Sequence, residues 1–140
     1  MKTSDVLNKA ADLIEERGWS TGDGWNHEDG GPICLEGGIL AAAGINFMTG
    51  NKYACPAYKA VAAYLADGGH GLPFRWNDSL SNGRVMAAIE VHDFSEPFDL
   101  DAVRAEADEW AKGEVIATLR ACAVIEAARE TAVAPSEVTA

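Results

Sequence analysis

The sequence predicts a mainly α protein: one compact domain of five or six helices with glycine-rich loops and at most a small β-hairpin. Three observations carry that prediction. Alanine supplies 25 of the 140 residues, concentrated in runs such as LAAAG and KAVAAYLA, and alanine is the best intrinsic helix former. Apolar residues recur at three- and four-residue spacing along several segments, the period of one helix face. Most glycines and prolines fall between those segments. At this length one domain is the expectation, large enough to bury a core without disulfides or metals. The domain is placed at residues 1–131, with 132–140 as a flexible tail.

The first helix begins near Thr3 or Ser4, either of which can cap it, and carries Val6, Leu7, Ala10, Ala11, Leu13 and Ile14 as one stripe. Gly18 followed by Trp19 predicts a Schellman ending, with Gly18 left-handed and Trp19 folded back toward Ile14. Residues 20–31 form a loop by composition, through Gly22, Gly24, Gly30 and Gly31. Pro32 is a good first helical residue because its missing N–H would go unpaired there anyway, and Gly44 ends this second helix. Gly37 and Gly38 inside it each cost about 1 kcal/mol relative to Ala, so another backbone is expected to approach closely. A third helix runs from Pro56 to Gly68-Gly69. HGLPFRWND around Pro73 reads as extended or turned, with Asn77, Asp78 or Asn82 capping a short fourth helix. Pro97 breaks the pattern, Asp99 caps the last long stretch, and Gly113 makes that stretch one kinked helix or two.

Charge excludes some functions. Twenty-two acids against 11 bases give a net charge of −11, which disfavours direct binding to a nucleic-acid backbone, since that needs clustered Lys and Arg. No stretch approaches the roughly 18 apolar residues of a membrane span, and the amphipathic start is not a signal peptide. An odd number of cysteines, three, suits a reducing cytoplasm rather than a disulfide framework. The acids are unevenly placed. Glu90, Asp93, Glu96, Asp99, Asp101, Glu106, Asp108 and Glu109 face Arg104 alone. A solvated surface with helix-start acids explains them; the functional alternative is a docking patch for a basic partner.

Cys34 is the most informative single residue. In the first turn of a helix a thiolate is stabilised by unpaired N–H groups and the positive dipole end. His27, His70 or His92 would supply a base and Asp78 would orient it, the parts of a thiol hydrolase. Against this, Ile33 and Leu35 flank Cys34, and cysteine in apolar company is usually an inert core residue. Asp23, His27, Glu28 and Asp29 crowd metal-ligand types together, but Trp25 occupies a ligand position of the calcium-loop pattern and no zinc spacing exists. The same stretch is not a phosphate loop, because it lacks the Lys and its acids repel phosphate. No metal or cofactor is expected. Trp25 and Trp76, each followed by Asn, suggest an aromatic and amide-lined groove between loops; the simpler account has both rings covering helix ends while Asn77 and Asp78 cap.

A first helix ending in ERGW at Trp19, then CLEGGILAAAG from Cys34 to Gly44, then WND from Trp76 to Asp78, resembles a family of small uncharacterised proteins of actinobacteria and their bacteriophages. The resemblance covers most of Met1 to Val91. After Ile89 the chain departs from it through an acidic segment before the final helix. The resemblance implies a phage or actinobacterial setting but no reaction; the cytoplasm read from the cysteines is that of the host if the protein is phage-encoded.

Two functional classes follow. One is a non-enzymatic accessory protein that binds a protein partner, basic in character, through Trp25, Trp76, Asn77 and Asp78 or through Glu106, Asp108 and Glu109. The other is a small thiol hydrolase or transferase centred on Cys34, with His27 and Asp78.

Overall fold

A computed structural model describes residues 1–21, 30–46 and 49–139, with side chains through residue 132. Five α-helices occur among the described residues: α1 (Thr3–Arg17), α2 (Leu35–Ala43), α3 (Pro56–Asp67), α4 (Pro73–Val91) and α5 (Leu100–Thr139). A 3-10 turn, Lys52–Ala54, precedes α3. No strand forms among these residues; the β content is one isolated parallel bridge between Trp19 and Ile33. The mainly α class expected from the alanine runs therefore holds. The segment expected to be a tail continues α5 as backbone helix to Thr139.

α1 buries Val6, Leu7, Ala10, Ala11 and Ile14, the stripe read from the sequence. Its capping differs from expectation. The Lys2 N–H donates to Asp5, and the start of α1 is held from the far end of the chain: Glu130 accepts from the Ser4 N–H at 3.1 Å and from its hydroxyl at 2.7 Å. Gly18 has φ +95° and ψ 164°, so the Schellman ending is not formed. Its N–H does return to the Ile14 carbonyl, but the chain then leaves extended and pairs with the Ile33 segment in both directions, at 3.0 and 3.1 Å.

That pairing moves the start of α2. Ile33 spends its N–H and C=O on Gly18 and Ser20, so it cannot be helical, and Pro32 is not the first helical residue. Cys34 becomes the N-cap, its Sγ accepting from the Gly37 N–H at 3.4 Å. Gly44, left-handed at φ +72°, closes α2 as expected. Gly38 meets α1: a Cβ there would lie 3.1 Å from Ile14 Cδ1 and 3.5 Å from the Ala10 carbonyl oxygen.

α4 corrects the largest misreading. Pro73 is its first turn rather than part of an extended segment, and Trp76, Asn77 and Asp78 are helical instead of loop or cap residues. The inner face of this 19-residue helix includes buried Asn77 and Ser81, so its apolar period is interrupted by polar residues. Asp99 does cap α5, accepting from the Ala102 N–H at 3.1 Å. α5 runs through Gly113 as one helix, because tertiary packing of Ala111 and Val115, both fully buried, outweighs the local cost of glycine. Its buried residues Ala107, Ala111, Val115 and Leu119 are four apart. Each such step turns about 40° past a full circle, so the inner face winds from α4 at its start to α1 further on. Ser81–Asp108 marks the first contact, and Arg120, bonded to Asn8 and Asp12, marks the second.

Candidate functional site

The motif residues converge on one buried amide. Asn77 is 1% exposed. Its Oδ1 accepts from the Trp19 indole N–H at 2.7 Å and from the Leu35 N–H at 3.0 Å. Its Nδ2 donates to the Ser20 carbonyl at 3.2 Å and to Asp78 at 3.0 Å. Every hydrogen-bonding position of the amide is occupied. The amide ties the end of α1, the start of α2 and α4 together, and offers nothing to a ligand.

Cys34 lies beside this knot. The thiol is buried, and its pKa is raised, first by desolvation and then by the charges of Glu36 and Asp78, against the lowering effect of the Gly37 N–H. As an N-cap it does feel the helix start, but burial dominates. Asp78 acts on Cys34 as a repelling charge, and its carboxylate is engaged by Asn77. His27 and Trp25 lie outside the described residues, as do Asp23, Glu28 and Asp29. Among the described residues no group of three His, Cys, Asp or Glu side chains is placed to hold a metal. A second polar cluster braces α2 on α3. Glu36, 5% exposed, accepts from Lys52 at 3.0 Å and from the Tyr58 hydroxyl at 3.2 Å, while the Lys52 ammonium sits 5.3–5.6 Å from the rings of Tyr53, Tyr58 and Phe74.

Trp76 leads to the open part of the surface. Between α4 and α5 runs a groove of two adjoining hollows, about 390 and 320 Å³, that meet at Arg84 and Ala87. The first is lined by His70, Trp76, Leu80 and Trp110. The second is lined by Ala88, Val91, Val103, Glu106 and Ala107. The Arg84 guanidinium lies 4.8 Å from the Trp110 ring centre, and its Nη2 is 3.4 Å from Glu106. A larger hollow, about 510 Å³, opens between the start of α1 and the end of α2, but alanines wall much of it and no aromatic side chain lines it. Such a wall gives a ligand few groups to recognise.

The acidic trio read from the sequence is divided by the fold. Glu106 lines the groove and pairs with Arg84. Asp108 accepts from the Ser81 hydroxyl at 2.5 Å, and Glu109 is exposed. All eight acids between Glu90 and Glu109 are exposed. Sequence reasoning singled out neither Arg84 nor Trp110. Neither carries a local signal, since the pair forms only when α5 folds back on α4.

A family model described as a family of unknown function, DUF6197, matches residues 1–91. The chain belongs to this family. The DUF6197 match ends at the last residue of α4, two residues past Ile89, where the sequence departs from its resemblance. The Asn77 knot therefore lies wholly inside the DUF6197 part. The groove does not: α4 supplies one wall from within the match, and α5 supplies the other from outside it. No curated protein and no solved structure matches the chain. No described helix is long and apolar enough to cross a membrane.

Proposed function

We propose that this DUF6197 protein is a non-enzymatic binding module that holds a protein partner in the groove between α4 and α5. The observation that carries the proposal is the groove itself: two adjoining hollows with apolar walls, two tryptophans and an exposed ion pair at their junction. Aromatic residues and Arg are the types enriched at protein interfaces, and Met86 and Val91 are exposed on the same helix. The actinobacterial and phage setting implied by the sequence resemblance makes a host cytoplasmic protein the partner, and an accessory role the function. The thiol alternative gains no support from Cys34, whose burial keeps it protonated at neutral pH.

The test uses Ala87, which is exposed and borders both hollows. Ala87→Gln places a long, uncharged side chain at their junction without touching the core. Wild type and variant are immobilised and challenged with actinobacterial lysate, and retained proteins are identified by mass spectrometry. A protein held by wild type and lost by Ala87→Gln, at equal melting temperature, is the expected result. Equal retention by both would move binding elsewhere and sink the proposal.

A further inference from the structure

Arg84 indicates what the groove is built to take. Its guanidinium occupies the junction of the two hollows, over the face of Trp110 and beside Glu106. Both partners of the ion pair are well exposed, 43% and 74%, and exposed pairs contribute little. A cation over a half-buried surface ring adds only modestly to that. The chain's own arginine is therefore held weakly, in surroundings whose aromatic face and carboxylate suit a guanidinium better than a compact ammonium. It can be displaced by one that brings further contacts with it.

Those contacts lie beside it. Ala87, Ala88 and Ala107 leave the second hollow without bulky walls, and Val91 and Val103 give it an apolar surface. α4 and α5 run antiparallel here, since Arg84 meets Trp110 and Glu106 while Val91 lies by Val103. A groove between two helices accepts a third helix through apolar residues on one face. No strand edge exists among the described residues to template an extended peptide. The charge of the segment that forms the two walls agrees. From Arg75 to Glu114 there are ten acids against four bases, a field that draws in a cationic segment.

We infer that the groove receives an amphipathic helix of a partner protein, with an arginine that displaces Arg84 from Trp110 and Glu106 and apolar side chains that enter the neighbouring hollow. The inference rests on the protein-binding reading above and adds the chemistry of the occupant.

The test titrates the full chain with three synthetic amphipathic peptides of about five helical turns. They share one Leu/Ala face and carry Arg, Lys or Glu on its flanks. Binding is read by anisotropy of a label on the peptide. The Arg peptide is expected to bind at least threefold more tightly than the Lys peptide, and the Glu peptide not at all. Ala87→Gln weakens the Arg peptide fivefold or more. Arg84→Ala, which vacates the ring and the carboxylate, tightens it at least threefold. Arg104→Ala removes the same charge from the same acidic stretch and changes binding less than twofold. Equal effects of Arg84→Ala and Arg104→Ala would mean that only the overall field acts, and would overturn the inference. So would no difference between the Arg and Lys peptides, or no binding of either. If a lysate protein is still lost with Ala87→Gln while the peptides fail, the protein-binding reading stands and the arginine-bearing helix falls alone.

Discussion

Asn77 shows how one side chain fixes a local architecture. It lies in a helix, yet its amide satisfies groups from two other segments, the Trp19 indole and the Leu35 N–H. Removing the amide leaves a buried donor, the Leu35 N–H, and a part-buried one, the Trp19 indole, without their acceptor, and each unsatisfied buried group costs about 1–3 kcal/mol. Asn77→Ala is therefore expected to lower stability by about 3 kcal/mol in urea unfolding, with α2 loosened at its start. A loss below about 1 kcal/mol would show that water replaces the amide without difficulty. The importance of Asn77 was visible in the sequence only as a motif. WND stands out by composition, but an Asn before an apolar run suggests a cap, and nothing local states that its partners lie 42 and 58 residues away. Cys34 is the opposite case. Its apolar neighbours Ile33 and Leu35 declare burial directly, and the structure agrees.

At the scale of elements, two helical glycines make opposite statements. Gly38 sits where α2 crosses α1, and an added Cβ would press on Ile14, itself fully buried and unable to retreat. Gly113 sits in α5 with nothing within 4 Å of the space a Cβ would fill. Helix propensity alone favours alanine at both positions by about 1 kcal/mol. The expectation is that Gly113→Ala stabilises by about that amount, while Gly38→Ala destabilises because overpacking outweighs propensity. Stabilisation by both, in thermal melts of the two variants, would show that α1 and α2 separate easily. The helix ends were legible wherever proline, glycine or aspartate does its ordinary work, as at Pro56, Gly44 and Asp99. They were misread where a long-range contact decides. The pairing of Ile33 with Gly18 and Ser20 delays α2, and the polar inner face of α4 hides its first turns.

For the whole molecule, the family match accounts for α1 to α4 and the core needs α5 as well. Ala107, Ala111, Val115 and Leu119 are buried to 1% or less, and all lie outside the match. The groove has the same double origin, so no motif within residues 1–91 could have disclosed it. Glu130 completes the closure by capping the start of α1. Two hydrogen bonds from Ser4 hold its carboxyl below the usual glutamate pKa. A depressed carboxyl contributes stability that is present above its unfolded value and lost as pH falls through its folded value. Glu130→Gln is therefore expected to be less stable than wild type near neutrality and to converge with it in acid, below the ordinary glutamate range. A gap between the two that stays constant down to pH 3 would mean the ionised form is not what caps α1.

The bond between Ser4 and Glu130 spans 126 positions of the chain, and it sets an order of events. A ribosome releases α1 before the α5 residues that cover it. Until Val115, Leu119 and Cys122 arrive, Leu7 and Ile14 have no lasting shelter on that side. Most helical proteins assemble from neighbours in sequence and do so quickly; here the first helix waits for the last, which places the chain toward the slower, high-contact-order end of its class. During that wait its exposed apolar stripe is what a chaperone would meet.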